Sequence, residues 1–210
     1  MGMASSRRYG GQEITMVTTS NASDWKVSKD KSQRLVKWSV LGKLHTQEVT
    51  QNGVGILIID FSGNTGSETV VVTSSRGLTK FYCNRIQLTA LDVSRSISLE
   101  NLYCFNNRLT ELDVSKNDEL IYIHCANNQL KVLDVSKNVK LRQLICFNNR
   151  LTTLDVSKNV KLTHLSCTNN PTLTTIYVNQ NQLNILNGVA PQLIAWDWLK
   201  PAHTKYILKQ

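Results

Sequence analysis

The five cysteines of this 210-residue chain recur at a fixed interval of 21 residues, as Cys83, Cys104, Cys125, Cys146 and Cys167. Neither a helix nor an isolated hairpin has that period. Self-similarity at about 20 to 50 residues is the signature of stacked repeats, in which each repeat packs on the one before it. We therefore predict a solenoid with one cysteine at the same position of each turn, and a function that resides on its surfaces.

The residues around each cysteine repeat with it. Residues 99–119, 120–140 and 141–161 read LENLYCFNNRLTELDVSKNDE, LIYIHCANNQLKVLDVSKNVK and LRQLICFNNRLTTLDVSKNVK, and further copies begin at Leu78 and Leu162. Each copy has a Leu-x-x-Leu-x-Cys piece and a Leu-x-x-Leu-Asp-Val piece in which apolar residues alternate with others, the pattern of a strand. A turn this short leaves little room for a helix on its far side, so we predict an all-β solenoid with parallel strands.

The alternation gives each side chain a direction. Leu102 and Cys104 are predicted to point inward, and Tyr103 and Phe105 outward. An asparagine follows the cysteine by three residues in four copies, at Asn107, Asn128, Asn149 and Asn170, where the chain leaves the strand. Its amide can satisfy the backbone groups stranded there.

The consensus Leu-x-x-Leu-x-Cys-x-x-Asn-x-Leu-x-x-Leu-Asp-Val-Ser-x-Asn resembles bacterial leucine-rich repeats of the short 21-residue, IRREKO-type class, and is similar to the internalin-J-like cysteine ladder. The resemblance covers about half of the chain. It implies a bacterial surface or secreted protein that binds host or matrix ligands, so we expect an extracellular or cell-surface location on that ground alone.

The two ends depart from the repeat. We predict residues 1–11 to be disordered or vector-derived, 12–77 to be a β-rich N-terminal cap, 78–186 to be the solenoid and 187–210 to be a C-terminal cap with Trp196 and Trp198 as a lid. The strand-like runs before residue 77 are Glu13–Thr19, Leu35–Leu41, Gly55–Phe61 and Thr69–Thr73. Two interpretations stay open there: degenerate coils beginning near residue 55, or a small β-sandwich-like domain.

The charge is spread along the chain. Residues 1–50 carry eight Lys/Arg against four Asp/Glu, and residues 51–210 carry sixteen against eleven. A dispersed surplus is a poor indication of nucleic-acid or acidic-polymer binding, which we keep only as a lesser alternative. No apolar stretch is long enough to span a membrane, and the start lacks the apolar region of a secretory signal. A cytosolic protein and a mature fragment without its leader both fit that start.

The sequence gives no indication of catalysis or of a cofactor. A ladder of thiols presents its ligands in a line, whereas a metal site needs them to converge, so we interpret the cysteines as small buried hydrophobes without disulfides. No zinc spacing or nucleophile–base set is visible among the histidines. The acidic column Asp92, Asp113, Asp134 and Asp155 is expected to be neutralised by the basic column Arg95, Lys116, Lys137 and Lys158 rather than to bind calcium.

The outward side of the Leu-x-Cys strands, here called the aromatic face, is the candidate site. Its candidate ligand-binding residues are Tyr82, Tyr103, Phe105, Tyr122, His124, Ile145, Phe147 and His164. Aromatic pairs between strands also stabilise a sheet without any ligand. A contiguous exposed patch rich in Tyr and Phe is nevertheless typical of interaction surfaces. We therefore predict a non-catalytic module that binds a protein or glycan partner; a structural spacer and a homo-oligomer are the alternatives, and the oligomeric state is left open.

Overall fold

The computed structural model describes residues 12–21, 25–29, 35–40, 43–48, 55–59, 64, 66–74, 77–189 and 197–209. These residues are mostly β, with one short helix. The strands are β1 (Gln12–Thr18), β2 (Trp25–Lys29), β3 (Leu35–Val40), β4 (Lys43–Glu48), β5 (Gly55–Ile59), β6 (Glu68–Ser74), β7 (Lys80–Tyr82), β8 (Leu88–Asp92), β9 (Asn101–Tyr103), β10 (Tyr122–His124), β11 (Gln143–Ile145), β12 (Thr153–Asp155), β13 (His164–Ser166), β14 (Thr175–Val178), β15 (Asp197–Leu199) and β16 (Lys205–Leu208), and helix α1 (Gln180–Leu186) lies between β14 and β15.

The Leu-x-Cys pieces form one parallel sheet. Strands β7, β9, β10, β11, β13 and β15 are neighbours in that order, and from β7 to β13 each residue pairs with its equivalent one repeat away. The inward residues Leu102 and Cys104 are fully buried, whereas Tyr103 between them is half-buried. The predicted directions are therefore confirmed for these strands, and the buried side chains of successive repeats form one continuous core.

The second pieces behave differently. The segments 109–114 and 130–135 have no strand pairing and contain a bend at residues 110 and 131, whereas β8 pairs with β1, and β12 with β14. The apolar side chains of these segments are still buried, as for Val114 and Val135. Hydrophobic alternation thus fixed the inward direction without a strand ladder, and single backbone bonds, such as Gln129 N to Leu109 O (2.8 Å) and Arg150 N to Leu130 O (2.9 Å), join these pieces to the following repeat.

Two columns of buried asparagine also connect successive repeats. Asn107 Nδ2 donates to the carbonyls of Cys83 (2.8 Å) and Cys104 (3.0 Å), and its Oδ1 accepts from the amides of Ile86 (3.2 Å) and Leu88 (3.0 Å). Asn128, Asn149 and Asn170 donate in the same way to the cysteine carbonyls of their own and the preceding repeat. The predicted role of these amides is confirmed.

The second column was not predicted from the sequence. It comprises Asn117, Asn138 and Asn159, each fully buried and each donating to two carbonyls of the preceding repeat. The signal was the Asn of the Ser-x-Asn motif, which recurs with the same period. Gln182 takes this role at the end of the array, because its Nε2 donates to Val156 O (3.0 Å) and Asn159 O (3.2 Å).

Antiparallel strands adjoin the first repeat. Strand β1 pairs with β6 and β8, and β2 pairs with β5 and β7, all antiparallel. Four of these N-terminal strands, β1, β3, β5 and β6, coincide with the predicted strand-like runs to within two residues, whereas β2 and β4 were not predicted. Both β5 and β6 are antiparallel to their neighbours, unlike the repeat strands.

Helix α1 departs from the all-β prediction. Asn179 begins it with a capping box, in which the Asn179 side chain accepts from the Gln182 amide and the Gln182 side chain accepts from the Asn179 amide. This helix lies where the sequence suggested only a fading repeat. After it, β15 and β16 lie parallel to β13 and β14 and add one more turn, with Trp198 opposite Leu165. Trp196 lies outside the described residues.

Candidate interaction surface

The aromatic face is built by short strands whose outward side chains stand beside their equivalents in the next repeat. Tyr103 is opposite Tyr82 on one side and opposite His124 on the other, and Tyr122 is opposite Gln143. Because the paired positions repeat every 21 residues, large outward side chains in successive repeats come into direct contact. The Tyr82–Tyr103 contact joins register partners, whereas the contacts of Tyr103 with Tyr122 and of Phe105 with His124 join diagonal neighbours two residues out of register.

Three tyrosines form a stack. The ring centroids of Tyr82 and Tyr103 are 4.4 Å apart with planes at 12°, and those of Tyr103 and Tyr122 are 4.8 Å apart at 33°. All three side chains are half-buried. Since the rings cover one another's faces along the sheet, the surface that they present outward consists mainly of ring edges and hydroxyl groups.

A second group of rings is centred on His124. Its imidazole stacks on Phe105 with centroids 4.2 Å apart at 20°, lies 6.3 Å from Phe147, and meets Tyr122 edge-on at 6.4 Å. The two groups therefore share Tyr122 as a neighbour and form one contiguous cluster of six rings.

His124 is held uncharged by this cluster. Burial against the rings lowers its pKa below the ordinary value of 6.5. Its Nε2 is covered, and within the described part of the chain it has no hydrogen-bond partner. An imidazolium would place an N–H at that covered position without an acceptor, which disfavours the charged form.

Burial also raises the pKa values of Tyr103 and Tyr122, in each case with a further contribution from the neighbouring phenols. The hydroxyls of both residues therefore remain protonated donors at neutral pH. The face thus offers a row of neutral O–H groups rather than phenolates.

Cations border the cluster at its N-terminal end. The Arg85 guanidinium lies over the Phe105 ring, 5.9 Å from the centroid, and Lys80 is close enough to lower the pKa of Tyr103 by its charge. Arg142, one residue before β11, is exposed. The sequence analysis missed Arg85 as part of this surface, because its contact depends on a left-handed backbone conformation (φ 61°).

The predicted site residues are not all brought together. Tyr82, Tyr103, Phe105, Tyr122, His124 and Phe147 are linked by ring contacts, and Ile145 is half-buried opposite His124. His164 is exposed on β13 and makes no ring contact within the described residues; its Nδ1 lies 3.5 Å from Thr163 Oγ1. Whether any of the eight binds a ligand stays a prediction.

The carboxylates of the acidic column accept hydrogen bonds from nearby backbone amides. The Asp92, Asp113 and Asp134 carboxylates each accept the amide of the serine two residues on, at 2.8 Å, and Asp155 does so at 3.0 Å. That hydrogen bond lowers the pKa of Asp113. Among the described residues, Asp155 is the member with an ion pair, to Lys209 at 3.1 Å, so the predicted neutralisation by the column Arg95, Lys116, Lys137 and Lys158 is not seen as salt bridges.

A shallow cavity of about 550 Å³ lies over this second side, between Leu91, Leu112 and Val132, with the carboxylates at its rim. No group of three or more His, Cys, Asp or Glu side chains that could hold a metal ion occurs within the described residues. In the same part of the chain no helix is long and apolar enough to cross a membrane.

The cysteines are buried and free. None of the five forms a disulfide, and burial raises the pKa of each thiol, to about 12 for Cys125 and Cys167. A buried thiol that stays protonated is a poor nucleophile and metal ligand. They therefore act as small apolar core residues, as predicted.

Comparison with known proteins adds one likeness. No protein-family model and no curated protein matches the chain. A solved structure from Listeria monocytogenes, "Functional domain of InlJ from Listeria monocytogenes includes a cysteine ladder", is similar, with 28% sequence identity and a TM-score of 0.41 over 52% of this chain and 32% of that chain. The alignment thus spans about a third of that protein, and the function proposed below rests on the residues described above.

Proposed function

We propose that this chain is a non-catalytic interaction module, built as a repeat solenoid, which binds a macromolecular partner through the aromatic face. The observation that supports this most is the contiguous cluster of six rings on the outward side of β7, β9, β10 and the Phe147 position. Each ring keeps part of its surface accessible. Partly exposed Tyr and Phe side chains held rigidly by a sheet are the kind that supply most of the binding energy at interfaces.

An exported location is the second part of the proposal. It comes from the resemblance of the repeat to surface and secreted leucine-rich-repeat proteins. Buried thiols are compatible with an oxidising compartment, because they are shielded from oxidants and from each other's thiolate forms. Locating the native protein by cell fractionation of its source organism tests this part, and a purely cytosolic pool would contradict it.

The alternative is that the rings only stabilise the sheet or mediate self-association. Stacked and edge-on pairs contribute about 0.5–1.5 kcal/mol each beyond area burial, so a purely structural role would explain their presence. The two functions differ in what they predict for a variant that loses rings but stays folded: a structural role changes only stability, whereas a binding role changes ligand capture.

The test uses the double variant Tyr103→Thr with Phe147→Thr, in which a β-branched residue suited to extended backbone replaces each ring, at the end of β9 and two residues after β11. Val132→Thr with Val160→Thr is the matched control, because those side chains are 71% and 64% exposed and lie outside the face. The intact chain is presented to a random 12-residue peptide library and to an array of neutral and sulfated oligosaccharides. Ligands captured by the wild type and the control but not by the face variant would support the proposal.

The result that would overturn it is equally specific. The face is structural if the face variant captures every peptide and oligosaccharide that the wild type captures, or if the wild type captures none, and if sedimentation shows a monomer. If sedimentation shows an oligomer of the wild type that the face variant does not form, self-association through the face is favoured instead. Should the double variant fail to fold, Gln143→Trp keeps every ring and blocks the same surface with added bulk beside Tyr122.

A further inference from the structure

The way the rings stack limits what the aromatic face can recognise. Sugars bind aromatic residues mainly by laying C–H bonds on an open ring face. In the tyrosine stack Tyr103 is covered on both faces, by Tyr82 at 4.4 Å and by Tyr122 at 4.8 Å, and Tyr82 and Tyr122 are each covered on the face toward Tyr103. The Phe105 ring is likewise covered by His124 at 4.2 Å on one side and bordered by the Arg85 guanidinium. A partner therefore meets ring edges.

Ring edges and phenolic hydroxyls have a definite electrostatic character. The edge of an aromatic ring carries the positive part of its quadrupole, and a protonated hydroxyl donates a hydrogen bond. Tyr82, Tyr103 and Tyr122 thus line up three positive edges with hydroxyl groups at their tips, of which those of Tyr82 and Tyr103 also hydrogen-bond to each other. Such a row favours carboxylates and carbonyl oxygens over apolar or cationic groups.

The charges around the face have the same sign. Lys80, Arg85 and Arg142 border the cluster, and within the described residues none of the three has an ion-pair partner. Two carboxylates lie at or next to these strands: Glu100, one residue before β9, and the exposed Asp197, the first residue of β15, opposite His164. The repeated aspartates lie on the second pieces, where their carboxylates bond local amides. The Lys80–Arg85 end of the face is therefore electropositive, although the repeats as a whole carry many acids.

We infer that the partner of the aromatic face is a protein whose contacting segment is acidic, with Asp and Glu side chains meeting the tyrosine edges and the Lys80–Arg85 end. This inference rests on the proposed function and names the chemistry of its ligand. Electrostatic complementarity of this kind chiefly raises the association rate and the specificity. Apolar side chains of the same segment contact Phe105, Ile145 and Phe147.

The peptide selection described above tests this directly, through the sequences of the captured peptides. Face-dependent peptides are expected to be enriched in Asp and Glu next to an apolar residue. A synthetic copy of the strongest peptide should lose at least several-fold affinity when its acids are changed to Gln or Asn, and should bind more weakly as salt is raised from 50 to about 300 mM.

Variants of the chain complete the test. Lys80→Gln with Arg85→Gln should weaken that peptide several-fold, whereas Lys131→Gln with Lys158→Gln, which removes the same charge from the other side, should not. Gln143→Glu keeps every ring and should also weaken binding, because it puts a carboxylate beside Tyr122. Face-dependent capture of neutral or basic peptides, or of oligosaccharides instead of peptides, would overturn the inference and leave the binding function standing. Capture that no face variant affects would overturn both.

Discussion

At the scale of single residues, the distinction that matters is between outward and inward copies of the same residue type. Asn106 and Asn107 are adjacent, yet Asn106 adopts φ 55° with a half-buried side chain, whereas Asn107 is buried and its side chain bonds five backbone groups. The first position requires a residue that tolerates the left-handed region, and the second requires an amide. The doublet Asn-Asn of the repeat thus combines two unrelated requirements.

These requirements predict opposite outcomes for neighbouring substitutions. Asn107→Ala leaves buried amides and carbonyls without partners, and we expect it to lower the free energy of unfolding by about 2–4 kcal/mol. Asn106→Gly relieves the positive φ and should change it by less than about 1 kcal/mol. Urea unfolding followed by circular dichroism measures both. Equal effects of the two substitutions would contradict the assigned roles.

His124 predicts a specific dependence of stability on pH. Its pKa is lowered in the folded chain, so between about 6.5 and the folded value the unfolded chain binds more protons. The stability contributed by neutral His124 is therefore complete above about pH 6.5 and is lost as the pH falls through the folded pKa. Because the ring is only half-buried, we expect the free energy of unfolding to fall by less than about 1 kcal/mol between pH 7.5 and 5.

The measurement compares the wild type with His124→Phe, which keeps a ring on Phe105 and cannot titrate. The stability difference between pH 7.5 and 5 should be smaller in the variant. His164→Gln serves as the control, because His164 is exposed and outside the ring cluster, and it should retain the wild-type difference. An unchanged pH dependence in His124→Phe would show that the imidazole is not the titrating group.

At the scale of elements, the last repeat is followed by helix α1, and this helix stabilises the C-terminal end of the repeats. Gln182 closes the capping box of α1 and donates to the Val156 and Asn159 carbonyls, so it continues the buried asparagine column by other means. A seven-residue helix is not stable alone, and its stability comes from these contacts and from Leu183 and Leu186 packed on the core.

Gln182→Ala should therefore be more damaging than its helix propensity suggests. Alanine is the better helix former, yet the change leaves two buried carbonyls unpaired and opens the cap, for an expected loss of about 2–3 kcal/mol. Gln180→Ala in the same helix removes only an exposed bond to Asn184 and should be neutral within about 0.5 kcal/mol. Thermal unfolding of both variants decides the matter, and a neutral Gln182→Ala would exclude the proposed role.

At the scale of the whole molecule, the stacked repeats behave as a chain of neighbours. Each repeat contacts those beside it, so the array is expected to loosen from an end rather than from its centre. Cys125 lies in the middle of the ladder, whereas Cys167 is the last thiol and donates to the Leu199 carbonyl (3.3 Å) in the final turn. The reactivity of the Cys125 thiol therefore measures opening in the middle of the core, and that of the Cys167 thiol measures opening at its end.

Thiol labelling in the folded state should follow that order. Cys167 becomes accessible when β15 detaches, whereas Cys125 needs its neighbouring repeats to separate, so we expect Cys167 to react at least tenfold faster. Alkylation at pH 8 with mass spectrometry of the digested peptides measures each site, with unfolded protein as the reference for intrinsic reactivity. Equal rates at the two sites would indicate a single all-or-none opening.

The repeat period, the inward and outward directions of side chains in 78–178 and the first asparagine column were determined by the sequence alone. Each is a local consequence of alternation or of a backbone group that needs a partner, so one repeat contains the information. Helix α1 was missed because its cap lies in a copy that Pro171 had already shifted, and strand β2 because its pairing partners β5 and β7 are distant in the chain. Strand β4 pairs with β3, which directly precedes it, but its sequence KLHTQE has few of the β-branched and aromatic residues that indicate a strand.

Only the tertiary structure decided how neighbouring repeats meet. It showed that the second pieces at 109–114 and 130–135 form no ladder, that the antiparallel strands join both sides of the first repeat, and that the tyrosines cover one another's faces. These features depend on distances between repeats and on ring orientations, which the sequence period does not encode. The sequence thus placed the aromatic residues on one face, and the stacking of their rings determined which of their surfaces a partner can reach.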